Sequence, residues 1–84
     1  MQIRFSSNAW EDYLYWQSSD RAILKRINQL IKDIEQTPFS GIGKPEPLKH
    51  QLSGFWSRRI DLQHRLVYTF QEETLCIAQC RDHY

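Results

Sequence analysis

The hydrophobic positions along the chain change their period once, near residue 38. Before that point apolar residues recur every three or four positions, as in amphipathic helices, and after it they alternate with polar residues, as in strands. Residues 2–5 also alternate and predict one short strand ahead of the helices. The sequence therefore predicts a chain that is mainly helical in its first half and mainly extended in its second.

Two helices are predicted between residues 6 and 38. The first begins at a Ser6 or Ser7 N-cap and runs to about residue 18, and the second follows an Asp20 N-cap and ends before Pro38. Both have an apolar stripe to bury. The stripe of the first helix consists of Trp10, Tyr13, Leu14 and Gln17, flanked by Ala9 and Trp16. The stripe of the second consists of Ile23, Leu24, Ile27, Leu30, Ile31 and Ile34.

The second half of the chain predicts a proline-rich loop followed by four strands. Residues 38–47 hold all three prolines and two of the three glycines, so an irregular loop is expected there, with the backbone stiffened on both sides of Glu46. The element order β-α-α-β-β-β-β indicates an α+β fold, in which two helices cover one face of a small, mostly antiparallel sheet. The four strands, joined as hairpins, are predicted at residues 48–52, 55–61, 64–70 and 74–81.

The length of 84 residues suits one domain, and a single domain spanning residues 1–84 is expected. Hydrophobic residues make up 40% of the chain, which argues against an intrinsically disordered protein. No apolar run approaches the ~20 residues of a membrane span. The N-terminus also lacks the apolar segment of a signal peptide, so a cytoplasmic location away from membranes is expected.

Charge is almost balanced over the whole chain but not along it. The formal net charge is +1, which does not by itself indicate nucleic acid binding. Residues 37–70, however, carry five basic and two acidic side chains, a net charge of +3. A basic surface there suits a phosphate-bearing partner, although a solvated sheet face would carry the same charges. The basic residues are Lys44, Lys49, Arg58, Arg59 and Arg65.

The two cysteines and three histidines do not form a metal-binding pattern. Neither a CxxC nor an HExxH spacing is present, so we expect no zinc site and no other cofactor. Cys76 and Cys80 would lie ~13 Å apart along one strand, too far for a disulfide between them. Free thiols in a reducing compartment are the simpler interpretation.

A small set of residues could together perform acid–base chemistry. Cleavage of RNA by its own 2′-hydroxyl requires a base, cations beside the dianionic phosphorane and an acid for the leaving 5′-oxygen, and it needs no metal ion. A carboxylate, an arginine–lysine pair and an imidazole supply those groups, and a phenol can stack on a base. Taken singly, each residue is better explained as a solvated charge or a frayed tail. The candidates are Glu46, Lys49, Arg65, His83 and Tyr84, with strand alternation placing Arg65 on the open face of the sheet.

Four segments carry a resemblance that covers essentially the whole chain: GKPEPLKHQLSGFWSRRIDLQHRLVY (43–68), EDYLYWQ (11–17), INQLIKD (27–33) and CRDHY (80–84). They closely resemble the Txe/YoeB family of the RelE/ParE toxin superfamily. The resemblance implies a RelE-like fold and the toxin of a type II toxin–antitoxin system, an endoribonuclease that cuts messenger RNA in the ribosomal A site. It also implies a homodimer, a YefM-like antitoxin, and operator DNA bound indirectly through the antitoxin complex.

The same resemblance assigns roles to individual residues. Glu46 corresponds to the family's general base and Arg65 to its phosphate-binding arginine. His83 corresponds to its general acid and Tyr84 to its terminal aromatic residue. The further RNA-binding candidates, of which the first also fits the family's site, are Lys49, Arg59 and Lys44.

Two other functions remain open from the sequence. A ParE-like toxin would share the fold but inhibit DNA gyrase through protein contacts, and a ribosome- or DNA-bound module would block its target without cutting. Glu46 and His83 argue against the gyrase inhibitor, because a protein that acts by binding needs no acid–base pair.

Overall fold

The computed structural model describes residues 1–82 and consists of two helices packed on one face of a five-stranded sheet. The elements are β1 (Gln2–Phe5), α1 (Ser7–Ser19), α2 (Arg21–Gln36), β2 (Glu46–Pro47), β3 (Trp56–Arg59), β4 (Arg65–Gln71) and β5 (Thr74–Gln79). The strand order is β1-β5-β4-β3-β2, with β1 parallel to β5 and every other pair antiparallel. The predicted fold class and element order are confirmed. Within residues 1–82 neither helix is long and apolar enough to cross a membrane.

Both predicted helix starts are confirmed by side-chain caps. The Ser6 hydroxyl accepts a hydrogen bond from the Ala9 amide at 3.0 Å, and Asp20 Oδ1 accepts from the amides of Ala22 and Ile23 at 3.0 and 3.2 Å. These bonds satisfy amides that have no partner within the first turn of a helix. The two helices are therefore separated by a single capping residue, which turns the second one back along the sheet.

The core forms between α2, α1 and the inner face of the sheet, but α1 is rotated relative to the prediction. Ile27, Leu30 and Ile34 of α2 are fully buried, as predicted. In α1 the buried residues are Ala9 and Trp16, whereas Trp10 and Leu14 of the predicted stripe are 46% and 39% exposed. The indole Nε1 of Trp16 donates to the Cys80 carbonyl at 2.9 Å, and this buried bond fixes which side of α1 faces the sheet.

The predicted strand at residues 48–52 is wrong. The strand in this region is β2, whose Glu46 and Pro47 pair with Ser57 and Trp56 of β3. The next residues form a 3₁₀ turn, His50–Leu52, because His50 adopts a left-handed φ of 58° that no strand allows. The irregular loop therefore ends before Glu46, and the last strand stops at Gln79 rather than at residue 81.

Arg58 belongs to the core and not to the basic surface that the sequence predicted. Its side chain is fully buried, and its guanidinium pairs with Asp33 at 2.5 Å and with the Tyr68 hydroxyl at 3.1 Å. The remaining N–H groups donate to the carbonyls of Thr37, Ser40 and Ile42. The hydrogen bond from Arg58 holds the pKa of the Asp33 carboxyl below its ordinary value. Arg58 thus organises the loop that follows α2.

Two glycines allow that loop to close around Arg58. A Cβ atom at Gly41 would lie 2.1 Å from Asp33 Oδ2, and one at Gly43 would lie 2.8 Å from Leu30 Cδ2, with φ of 117° and 82° respectively. Only glycine meets both the backbone angle and the close approach. The Gly43 carbonyl then accepts from the Arg59 amide at 2.7 Å, so the chain arrives at β2 in a fixed position.

Candidate functional site

Three of the candidate residues lie on the same face of the sheet, opposite the helices. Glu46 pairs with Ser57 across β2 and β3, and Arg59 pairs with Arg65 across β3 and β4. Because directly paired residues and residues two apart on a strand share a face, Glu46, Arg59 and Arg65 all point away from the buried Arg58. With strands ~4.8 Å apart and a rise of ~3.3 Å per residue, the Cα atoms of Glu46 and Arg65 lie about 12 Å apart. Side chains of these lengths can reach one phosphate between them.

This face is not uniformly accessible. Ser57 and Val67 in its middle are 2% and 3% exposed, although both point away from the helices. Glu46 and Arg59 are exposed, and Arg65 is half-buried. The expectation of an open sheet face therefore holds for the end of the sheet where the charged residues lie.

Arg59 and Arg65 face each other directly on neighbouring strands. Within residues 1–82 no carboxylate forms an ion pair with either guanidinium, and the recorded partners of Arg65 Nη1 are the carbonyls of Asp61 and His64, at 2.9 and 3.1 Å. Like charges directly opposite in an antiparallel pair are destabilising. An anion placed between the two guanidinium groups would remove that repulsion, so the pair is suited to binding phosphate.

The two lysine candidates are placed by different parts of the chain. Lys49 precedes the 3₁₀ turn and lines, with Glu46 and His50, a shallow cleft of about 320 Å³. Lys44 is exposed in the loop before β2 and directly follows Gly43, whose carbonyl accepts from the Arg59 amide at 2.7 Å. The structure therefore brings Lys49 beside Glu46 and the backbone of Lys44 close to that of Arg59.

The chain end approaches the sheet at Arg65. The Arg65 amide donates to the Asp82 carbonyl at 3.0 Å, and Asp82 is the last residue that the structure describes. The predicted general acid His83 and terminal aromatic Tyr84 lie outside the described residues.

Sequence reasoning missed the residues that hold the chain end. His64 Nδ1 accepts from the Asp82 amide at 2.8 Å, and the Asp12 carboxylate accepts from the Cys80 amide at 3.1 Å. Burial raises the pKa of the Asp12 carboxyl, the larger effect, while the Cys80 hydrogen bond opposes it. The only sequence signal was a histidine beside Arg65 at the start of an apolar strand, and an isolated histidine gives no information about its partner.

No described part of the chain suggests a metal centre. Within residues 1–82 no three His, Cys, Asp or Glu side chains are grouped so that they could hold a metal ion. Cys76 and Cys80 are both free, and burial raises the pKa of the Cys80 thiol to about 12. At neutral pH Cys80 is therefore a protonated core residue whose Sγ approaches the Ala9 carbonyl at 3.6 Å.

Comparison with known proteins gives one consistent result. The family described as YoeB-like toxin of bacterial type II toxin–antitoxin system matches residues 5–84. Toxin YoeB of Escherichia coli K12 is 61% identical over 84 residues, which is 100% of both chains. Two solved structures from Staphylococcus aureus, a YoeB dimer and a YoeB–YefM complex, are 48% and 47% identical, each with a TM-score of 0.94 and covering 100% of this chain and 98% of the other.

Proposed function

Because the chain belongs to the YoeB-like toxins of bacterial type II toxin–antitoxin systems, we propose that it is an endoribonuclease that cuts messenger RNA in the ribosomal A site. The cut stops translation. The activity belongs to a single domain spanning residues 1–84, in the cytoplasm where ribosomes are found, and requires no cofactor.

The proposed reaction is an attack of the 2′-hydroxyl of RNA on the adjacent phosphate. The Glu46 carboxylate takes the hydroxyl proton, the 2′-oxygen bonds to phosphorus, and the bond from phosphorus to the 5′-oxygen breaks. His83 protonates that leaving oxygen, so the products are a 2′,3′-cyclic phosphate and a 5′-hydroxyl. Arg65 stabilises the negative charge of the phosphorane, and Tyr84 stacks on or orients a base.

The observation that best supports this proposal is the direct pairing of Arg59 and Arg65 on the face that also carries Glu46. Two cations that have no carboxylate partner within residues 1–82 supply the electrostatic part of phosphate-ester chemistry, and a carboxylate on the same face supplies the base. Lys49 adds a contact to the RNA backbone beside Glu46, and Lys44 adds a further one. A protein that acted only by binding would gain nothing from an acid beside an RNA phosphate.

The partners are proposed from the relatives. The Staphylococcus aureus structures are a dimer and a complex with YefM, so we propose a homodimer and a YefM-like antitoxin for this chain. Operator DNA would be bound indirectly, through that antitoxin complex. The ribosome, with its messenger RNA, is a further partner, because four basic side chains hold free RNA weakly at physiological salt.

Primer extension on a translated message tests the proposal. The protein is added to a reconstituted translation reaction and, separately, to the same message without ribosomes. We expect breaks at A-site codons in the first reaction and slow, unselective breaks in the second, because positioning by the ribosome can lower the barrier by ~7–11 kcal/mol. Equal rates in the two reactions would contradict ribosome dependence. Inhibition of gyrase supercoiling without any RNA cleavage would favour the ParE-like function.

A further inference from the structure

The first two of the three residues after β5 are held by side chains of α1. Asp12 accepts from the Cys80 amide at 3.1 Å, and Trp16 donates to the Cys80 carbonyl at 2.9 Å. The Arg81 guanidinium carbon lies 3.6 Å from the centre of the Tyr15 ring. The third residue, Asp82, is held from β4 and from the turn before it, and it is the residue that leads to the proposed general acid.

Asp82 is hydrogen-bonded through both its N–H and its carbonyl. Its amide donates to His64 Nδ1 at 2.8 Å, and its carbonyl accepts from the Arg65 amide at 3.0 Å. Its φ of 63° is left-handed, a conformation that aspartate tolerates better than most residues. The two bonds fix this turn, and the turn sets the direction in which the chain leaves residue 82.

His64 is itself held in one orientation. Its side chain is 10% exposed, and its ring meets the Trp16 ring edge-on, with centroids 4.7 Å apart and an interplanar angle of 73°. Its own amide donates to Asp61 Oδ1 at 2.7 Å. Since Nδ1 accepts the Asp82 proton, the neutral ring must carry its hydrogen on Nε2. The acceptor therefore has a defined place, beside the backbone of Arg65.

We propose that His64 is a positioning residue for the reaction, and that through the Asp82 amide it fixes the direction in which the chain leaves residue 82, just before the proposed general acid His83. This inference rests on the proposed function, since it needs His83 to act in cleavage. His64 does not touch the RNA. Its contribution is the lone pair of Nδ1, which keeps Asp82 in the left-handed turn.

Two amide substitutions separate this role from a purely structural one. In His64→Asn the side-chain oxygen can occupy the position of Nδ1, whereas in His64→Gln the amide reaches the position of Nε2 and leaves the Asp82 amide without its acceptor. Both variants are polar, uncharged and close in size. If His64 were only structural, both variants would lose melting temperature and folded fraction. Their cleavage rates per folded molecule would then not depend on whether the acceptor lies at the Nδ1 or the Nε2 position.

The test is single-turnover cleavage of an A-site codon with saturating ribosomes, with rates divided by the folded fraction from circular dichroism. We expect His64→Gln to lose about 100-fold in rate at unchanged ribosome affinity, because a misplacement near 1 Å has a cost of that order, and His64→Asn to lose less than about tenfold. A His64→Gln rate equal to or above that of His64→Asn would overturn the inference while leaving the proposed function intact. Absence of cleavage by the unsubstituted protein would overturn both.

A second measurement does not depend on activity or on the folding of a variant. In uniformly ¹⁵N-labelled protein, the N–H···N bond should give a scalar coupling between the Asp82 amide nitrogen and His64 Nδ1. We expect that coupling, together with a hydrogen on Nε2, in the unsubstituted protein at neutral pH. A hydrogen on Nδ1 instead would overturn the inference, because Nδ1 could then not accept.

Discussion

Arg58 and Arg65 lie on neighbouring strands of one hairpin, and they differ in the face they point to, in their burial and in their hydrogen-bond partners. Arg58 points toward the helices, is fully buried, and pairs with Asp33 and Tyr68. Arg65 points to the other face, is half-buried, and donates only to main-chain oxygens within residues 1–82. Asp33 neutralises the first cation, whereas the second has no carboxylate partner within residues 1–82.

This difference shows why a count of basic residues is a weak indicator of a binding surface. The charge pattern placed both arginines in one basic stretch, but Arg58 lies on the wrong face and its charge is already compensated. A cation contributes to binding only if its face is accessible and its donors are not already used. Substitutions on the two faces of the sheet should therefore separate stability from activity.

The largest effect on stability is expected at Arg58. In Arg58→Met the stem of the side chain is kept, but Asp33 loses its cation, and the Tyr68 hydroxyl and three carbonyls of the loop after α2 lose their donor. Together these losses should destabilise the fold by about 3–5 kcal/mol. The matched control is Arg59→Met, the next residue along β3 on the opposite face, which should change the free energy of unfolding by less than about 0.5 kcal/mol. Urea denaturation of both variants measures the difference, and equal losses would contradict the assignment of the two faces.

At Arg65 we expect a large effect on activity and a small effect on stability. Arg65→Ala should lower the A-site cleavage rate by about 10²–10³-fold, the cost of removing one group that stabilises transition-state charge. Its hydrogen bonds run to carbonyls near the surface, so the loss of stability should stay below about 1 kcal/mol. Cleavage and urea denaturation are measured on the same preparation, with Arg21→Ala as an exposed control on α2. If Arg65→Ala did not fold, the main role of this arginine would be structural.

A smaller effect is expected from acid, acting through Asp33. The hydrogen bond from Arg58 lowers the Asp33 pKa below 3.8, so the folded state binds this proton less readily than the unfolded state. The stabilisation is present above that value and is lost as the pH falls through the lower, folded-state pKa. Asp33→Asn should cost about 1.5–3 kcal/mol at pH 7 and should show a shallower loss of stability below pH 4 than the unsubstituted protein. If the free energy of unfolding fell equally steeply below pH 4 in the two proteins, Asp33 would not be a source of the acid sensitivity.

Sequence patterns predicted those parts of the fold that depend on local periodicity. The six aliphatic positions of α2 and the caps at Ser6 and Asp20 were found because each signal lies within one or two helical turns. On β4, Leu66 and Tyr68, which alternate with the residues of the outer face, belong to the core. An element whose hydrophobic periodicity is complete within its own residues can be predicted without knowing its contacts with distant parts of the chain.

The errors arose where a distant contact or a backbone angle decides the structure. Residues 48–52 alternate like a strand, but the left-handed His50 turns the chain, and nothing in a histidine signals that angle. Pro47 argued for a loop, yet β2 lies at the edge of the sheet, where a residue without an N–H is tolerated. The rotation of α1 depends on Trp16 reaching Cys80, 64 residues away along the chain.

The candidate site was predicted only in part, because some of its contacts are local and others join distant residues. Alternation on β4 was enough to place Arg65 on the outer face, but the pairing of Glu46 with Ser57 depends on the loop around Arg58 and could not be predicted. The anchoring of Asp82 by His64 joins residues 18 positions apart through a side chain and was not visible in any local pattern.

The assignment of Glu46 as the general base is the claim on which the whole account depends, and Glu46→Gln tests it most directly. Glutamine keeps the size of the side chain and its exposed position on β2 but cannot take a proton, so the fold should be unchanged. In single-turnover primer extension on translating ribosomes, we expect Glu46→Gln to cleave about 10²–10⁴-fold more slowly than the unsubstituted protein. Its melting temperature should be unchanged. The control Glu35→Gln, on α2, should change neither the rate nor the melting temperature. Cleavage by Glu46→Gln at the full rate would show that the base lies elsewhere.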